Sequence, residues 1–105
     1  MANVLTRLAH KIDARKGGDE KNSYAAKLFA RGPSKCAEKF GEEAVEAIIA
    51  AAKNDKKNLK EEAADVLFHL LVMLSARGVK WEEVLAELER REGTSGIVEK
   101  ASRKK

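Results

Sequence analysis

Acidic side chains recur at helical spacing in two short stretches of this chain, Glu42-Glu43-Ala44-Val45-Glu46 and Glu61-Glu62-Ala63-Ala64-Asp65. Residues three and four apart are neighbours on a helix. Glu42, Glu43 and Glu46 therefore share one side of the first stretch, and Glu62 and Asp65 share one side of the second. If the two helices pack antiparallel, four or five carboxylates converge at one place. Like charges at about 4 Å repel by roughly 1 kcal/mol in water and about 4 kcal/mol near a protein surface. A hard divalent cation removes that repulsion, and a set of carboxylate oxygens suits magnesium, calcium or manganese. The competing reading is a solvated face, since Glu is a strong helix former. Against it stands the second acidic pair, which runs straight into the most apolar segment of the chain.

The elements that must carry these acids are all helical. Val4, Leu5, Leu8 and Ile12 stand at helical spacing in a first helix over about Val4 to Arg15, closed by the loop Lys16-Gly17-Gly18-Asp19. A short second helix follows, with Asn22 or Ser23 as N-cap, and runs through Tyr24, Leu28 and Phe29 to Arg31. Gly32 suits its C-terminal cap, and Pro33 suits the first turn of the next helix. The third helix, about Ser34 to Lys53, carries the first acidic motif and an apolar stripe of Val45, Ile48, Ile49 and Ala52. Gly41 inside it costs about 1 kcal/mol relative to Ala; either another backbone approaches there or the weak spot is tolerated.

The expected turn is Asn54-Asp55-Lys56-Lys57, followed by Asn58 as N-cap with Glu61 placed for a reciprocal capping box. The fourth helix continues through Val66-Leu67-Phe68-His69-Leu70-Leu71-Val72-Met73-Leu74 and is closed by Gly78. That run is apolar nearly all round, as in a helix buried on most sides. So small a chain has few elements to cover it, which makes a second subunit the expected cover. A fifth helix over about Lys80 to Glu92 puts Trp81, Val84, Leu85 and Leu88 on one face, and Gly93-Thr94-Ser95-Gly96 ends it.

Composition agrees with this outline. The 105 residues suit one domain, read here as residues 1–93 with a basic, flexible tail over 94–105. Hydrophobic residues make up 44% and charged residues 36%, with a single proline, a mix that points to an all-α fold. Cys36 has no partner for a disulfide, no signal-like apolar core follows Met1, and no apolar run is long enough to span a membrane. The expected location is the cytoplasm. Net charge is +4, but the basic residues are scattered and aromatics are few. That argues against a nucleic-acid surface and for a small polyanion as ligand.

Individual residues sharpen the reading. Lys35 and Lys39 stand one turn apart, and Lys39 one turn before Glu42, so both could present positive charge to phosphates at the rim of the acids. The alternative is a helix-stabilising pair, Lys35 with Glu38 or Lys39 with Glu43. His69 reads as a hydrogen-bonded core histidine, His10 has no evident companion, and Cys36 reads as a small helix residue. No Glu-x-x-His occurs, which speaks against a ferritin-like di-iron site. No P-loop occurs either, so phosphates would have to be held by metal and basic side chains.

Glu42-Glu43-x-x-Glu46 followed by Glu62-x-x-Asp65 resembles the signature of the MazG-type all-α nucleotide pyrophosphatases. Ser23-Tyr24 before Lys27-Leu28, Lys39-x-Gly41-Glu42-Glu43, Glu61-Glu62-Ala63-Ala64-Asp65 and Phe68-His69-Leu70-Leu71 look more closely like the phosphoribosyl-ATP pyrophosphatase family. The similarity spans roughly residues 4 to 92. Ala25 stands where many relatives have Thr, and the cyclohydrolase domain sometimes fused to such enzymes has no counterpart here.

The resemblance implies a MazG-like helical bundle of about five helices, completed by dimerisation into a homodimer or higher homo-oligomer. It also implies Mg2+-dependent hydrolysis of a nucleotide, phosphoribosyl-ATP, between its α and β phosphates. By position, Glu43, Glu46, Glu62 and Asp65 match the metal ligands, Glu42 an assisting acid, and Lys39 a phosphate-contacting lysine. Two other readings stay open at this point. One is a house-cleaning nucleoside triphosphate pyrophosphatase built on the same site. The other is a non-catalytic helical dimerisation module.

Overall fold

The computed structural model describes residues 3–103. Among them six helices follow one another without a strand: α1 (Val4–Asp13), α2 (Tyr24–Ala30), α3 (Pro33–Ala52), α4 (Lys56–Ala76), α5 (Trp81–Arg91) and α6 (Gly96–Ser102). The all-α expectation holds, with one helix more than the sequence pattern suggests. None is long and apolar enough to cross a membrane.

Long helices α3 and α4 form an antiparallel hairpin that is the largest packing contact of the fold, and its turn is tighter than the sequence suggests. Asn54 adopts a left-handed conformation (φ 58°). Its N–H donates to the Ala51 carbonyl at 3.0 Å, and that of Asp55 donates to the Ala50 carbonyl at 3.0 Å. This is a Schellman closure with Asn in the position usually held by Gly. Asp55 then caps α4, its carboxylate accepting from the Asn58 N–H at 3.1 Å. The expected cap at Asn58 and its box with Glu61 are therefore corrected. Asp55 sits earlier and is already fixed by the end of α3, so α4 begins at Lys56 and Glu61 is left exposed on its surface.

Helices α1, α2 and α5 pack against one half of this hairpin. Ala9 and Ile12 of α1, Leu28 of α2, Cys36 of α3, Leu71 and Val72 of α4 and Trp81 of α5 form the buried core. Ser23, rather than Asn22, caps α2 by accepting from the Ala26 N–H. Cys36 is wholly buried and donates to the Leu28 carbonyl at 3.4 Å, and burial pushes its thiol pKa up. Ser75 of α4 donates to the Asp13 carboxylate at the end of α1. His10, expected to stand alone, pairs with Glu82 of α5 at 2.6 Å.

Two expectations about faces are revised. The stripe of α3 does not enter the core: Val45, Ile48 and Ile49 are 53%, 65% and 47% exposed. The side of α3 that meets α4 is made instead of smaller or half-buried residues, Cys36, Phe40, Glu43, Ala47 and Ala50. On α5, Leu88 likewise points to solvent. Residues 96–102, inside the expected tail, form α6. Its buried Glu99 pairs with Arg90 at 2.7 Å and Arg103 at 3.1 Å. Lys104 and Lys105 lie outside the described residues.

Gly41 has open space around it, for a Cβ built there meets no atom within 4 Å. No neighbouring backbone requires glycine, and the helix carries its conformational cost. Gly41→Ala is expected to raise stability by about 0.5–1 kcal/mol, read as a melting temperature about 2–8 °C higher. If activity falls in that stabilised variant, a ligand or second chain makes close approach at this point of α3.

Candidate metal and phosphate site

Register within the α3–α4 hairpin decides which acids meet. Glu43 and Asp65 stand eleven residues either side of Asn54, and Glu46 and Glu62 eight. In an antiparallel pair such residues lie at the same level. Glu43, Glu62 and Asp65 each offer a carboxylate oxygen, and the three oxygens lie within 4.8 Å of one another. Glu46 stays outside that triplet and is exposed, yet its charge acts on Glu62. Glu42 is on the solvent edge, where it accepts from Lys39 Nζ at 3.1 Å. That pairing holds the Lys39 ammonium above its ordinary pKa.

Lys35 is engaged differently from Lys39. It donates to Glu38 at 2.5 Å, two turns ahead of Glu43, and takes no part in the triplet. Lys39 pairs with Glu42 rather than with Glu43, so its charge does border the acids. Of the sequence-read residues, the structure thus brings Glu43, Glu62 and Asp65 together, sets Glu46, Glu42 and Lys39 around them, and leaves Lys35 apart.

Glu62 shows the strain of the arrangement. Its Oε1 is hidden from solvent and has no hydrogen-bond partner among the described residues. Burial pushes its pKa up, and the charges of Glu46, Asp65, Glu43 and Glu61 push it further. A buried carboxylate oxygen without a donor costs free energy unless something positive meets it. All-oxygen donors, clustered carboxylates and an orphaned oxygen fit a hard divalent cation. Here Glu43, Glu62 and Asp65 would be its first holders, with Glu46 within electrostatic reach.

An aromatic group borders the acids. Tyr24 of α2 stacks on Phe68 of α4 with ring centroids 5.9 Å apart, and His69 meets both edge-on at 5.8 and 5.3 Å. His69 is buried, as expected, but its Nδ1 has no partner among the described residues. Burial and the Lys39 charge lower its pKa, against the opposing pull of Glu43, Asp65 and Glu42. Sequence pattern does not single out Tyr24 for this place, because it lies about forty residues from Phe68. The one available signal is Ser23, whose capping preference sets where α2 starts.

Known proteins align with nearly all of this architecture. A family model described as phosphoribosyl-ATP pyrophosphohydrolase matches residues 5–92. The chain is 71% identical over 100 residues to the phosphoribosyl-ATP pyrophosphatase of Rhodobacter capsulatus, covering 95% of this chain and 97% of that protein. It is 68% identical over 101 residues to the Cereibacter sphaeroides protein of the same name, covering 96% and 98%. A Dinoroseobacter shibae phosphoribosyl-ATP pyrophosphatase is 69% identical over 101 residues, covering 96% and 99%.

The raised pKa of Glu62 has a defined sign. A carboxyl bound more tightly to its proton when folded makes the cation-free chain lose stability as pH rises through that folded pKa, and regain it as pH falls. Glu62→Gln removes the charge, so in EDTA near pH 8 its melting temperature should exceed that of the unaltered chain. Adding Mg2+ at about 100 times its dissociation constant should raise the unaltered chain's melting temperature by about 10 °C, and the variant's hardly at all. A variant destabilised in EDTA would show that Glu62 carries no electrostatic cost.

Proposed function

The chain belongs to the phosphoribosyl-ATP pyrophosphohydrolase family, and we propose that it hydrolyses phosphoribosyl-ATP to phosphoribosyl-AMP and pyrophosphate, the second step of L-histidine biosynthesis. The observation that carries this reading to the chemistry is the convergence of Glu43, Glu62 and Asp65 from two helices around an unsatisfied carboxylate oxygen. Such a triplet is costly for a merely structural helix pair and useful for binding a polyphosphate through a cation. It favours an enzyme over a non-catalytic dimerisation module.

In this proposal Glu43, Glu46, Glu62 and Asp65 hold Mg2+. The ion, when bound, neutralises phosphate charge and makes a coordinated water more acidic. Glu42, exposed at the edge of the cluster, orients the attacking water and accepts its proton. Lys39 is held at 3.1 Å by Glu42 in the free chain; it exchanges that partner for a phosphate oxygen as the triphosphate arrives. Lys35, one turn further out, adds positive charge along the approach. The bond that breaks joins the α and β phosphates through their bridging oxygen; a bound Mg2+ would share with Lys39 the negative charge that pyrophosphate carries away. Half-buried positions for Glu43 and Glu62 keep competing water away from the carboxylates, which strengthens their grip on the cation.

We extend the proposal to assembly and location. A second copy of the chain covers the exposed stripe of Val45, Ile48 and Ile49 together with Leu67 of α4. Isolated apolar side chains are ordinary on a surface, but four on one hairpin form a patch of the kind that marks an interface. The protein works in the cytoplasm, on a small nucleotide.

The direct test is pyrophosphate release from phosphoribosyl-ATP with and without Mg2+, with ATP and dATP in parallel. Release should need the ion and favour phosphoribosyl-ATP. Glu43→Gln and Asp65→Asn should each cut kcat/KM by more than about 100-fold, beyond the loss a supporting contact brings. Release from ATP and dATP alone would move the enzyme to free nucleotides. In sedimentation velocity the chain should run as a dimer or larger, and Ile48→Asp should shift it towards monomer while helicity persists. An unaltered chain that runs as monomer at micromolar concentration would refute the assembly.

A further inference from the structure

Phe68 stands one turn beyond Asp65 on α4, about 4.5 Å further along the helix axis. It forms one wall of a cleft of about 230 Å³. Tyr24, Leu8 and Ile12 complete an apolar lining, and Lys11 and Arg15 join it from the last turn of α1 and the turn that follows. The stacked Tyr24–Phe68 pair presents flat aromatic surface to the cleft.

Lys35, Lys39, Arg90, Arg91 and Arg103 pair with carboxylates, whereas Lys11 and Arg15, like several other cations of the chain, have no anionic partner among the described residues. What sets these two apart is that both line the cleft of Tyr24 and Phe68. They stand four residues apart, Lys11 in the last turn of α1 and Arg15 in the turn beyond it, and like charges held near one another repel. A doubly charged phosphate would relieve both at once, and arginine offers it a planar, two-pronged donor set. The cleft has room for a sugar phosphate.

We propose that this cleft is the subsite for the second ribose 5-phosphate of the substrate, the group that distinguishes phosphoribosyl-ATP from ATP. The purine ring lies against Tyr24 and Phe68, and Lys11 and Arg15 bind the second 5′-phosphate while the triphosphate lies at Glu43, Glu62 and Asp65. The inference rests on the activity proposed above and adds the source of its selectivity. In this arrangement the acids recognise any nucleoside triphosphate with a cation, and the cleft recognises the extra arm.

The test uses Lys11→Gln, Arg15→Gln, the double variant and Arg15→Lys in the full chain, with folding checked by circular dichroism and thermal melting. Both side chains are exposed, so the helices should remain intact. Two readouts are taken: KM and kcat for phosphoribosyl-ATP, and inhibition constants for phosphoribosyl-AMP and AMP. Each neutral variant should raise KM, and weaken inhibition by phosphoribosyl-AMP, about tenfold, the scale of one charge-assisted hydrogen bond. Inhibition by AMP should change less than about twofold, and Arg15→Lys should retain most of the affinity. Folded variants that bind phosphoribosyl-AMP as tightly as the unaltered chain would overturn the subsite. So would equal weakening of AMP and phosphoribosyl-AMP, since the cations would then act on the shared nucleotide. If the unaltered chain leaves phosphoribosyl-ATP intact, the activity itself fails and the inference goes with it.

Discussion

Mutual repulsion of carboxylates is the constraint around which this fold is arranged. Glu43, Glu62 and Asp65 lie within 4.8 Å of one another, and each close pair opposes folding in the absence of a cation. They are kept there by a covalent device and a packing device. The covalent one is the turn at Asn54 and Asp55, whose two backbone hydrogen bonds to Ala51 and Ala50 close α3. Asp55 at once starts α4. Because that turn is so short, the level at which the helices face each other is set by counting residues from it. The packing device is the far half of the hairpin, where Cys36, Leu71 and Val72 join Leu28, Ile12 and Trp81 in the core.

Stability and chemistry are thus placed on different stretches of one hairpin. The end near Gly32 and Gly78 is covered by α1, α2 and α5 and supplies the apolar burial. The end near Asn54 has no such cover in the chain and carries the acids about halfway along. Neither end would serve alone, for the core has no ligand-binding chemistry and the acids have no net attraction for one another. Long helices make the division possible, since a rigid rod transmits position from the packed end to the charged one.

Charge is distributed to the same effect. Most of the cations whose contacts are described neutralise carboxylates at the periphery. Arg90 and Arg91 hold Glu87 down to about 2 and gather Glu99 of α6 against α5. Exposed pairs of this kind contribute little stability individually; a buried carboxylate met by three arginines does more to fix where α6 lies. Among the cations without a carboxylate partner, Lys11 and Arg15 line a cleft whose wall, Phe68, stands one helical turn from Asp65. A polyanion carrying a cation would meet negative side chains first at one end and positive ones at the other.

The sequence by itself determined the helical class, the start of α2 to within a residue at Asn22 or Ser23, the end of α4 at Gly78 and the identity of the acids. Those follow from local rules: periodicity, capping preference and the spacing of like residues on one turn. Only the tertiary structure decided which of those acids meet. A residue more or less in the turn rotates α4 by about 100° relative to α3, and the Asn58 start suggested by the capping box differs from the Asp55 start observed. The same holds for the apolar faces. Val45, Ile48 and Ile49 read as an apolar stripe, yet α3 meets α4 through Cys36, Ala47 and Ala50, because small side chains let two long helices approach closely. Tyr24, Lys11 and Arg15 reach Phe68 only through the folding of α1 and α2 across α4. Contacts over such separations leave no periodicity for a sequence to display; they are set by packing, which acts on the whole chain at once.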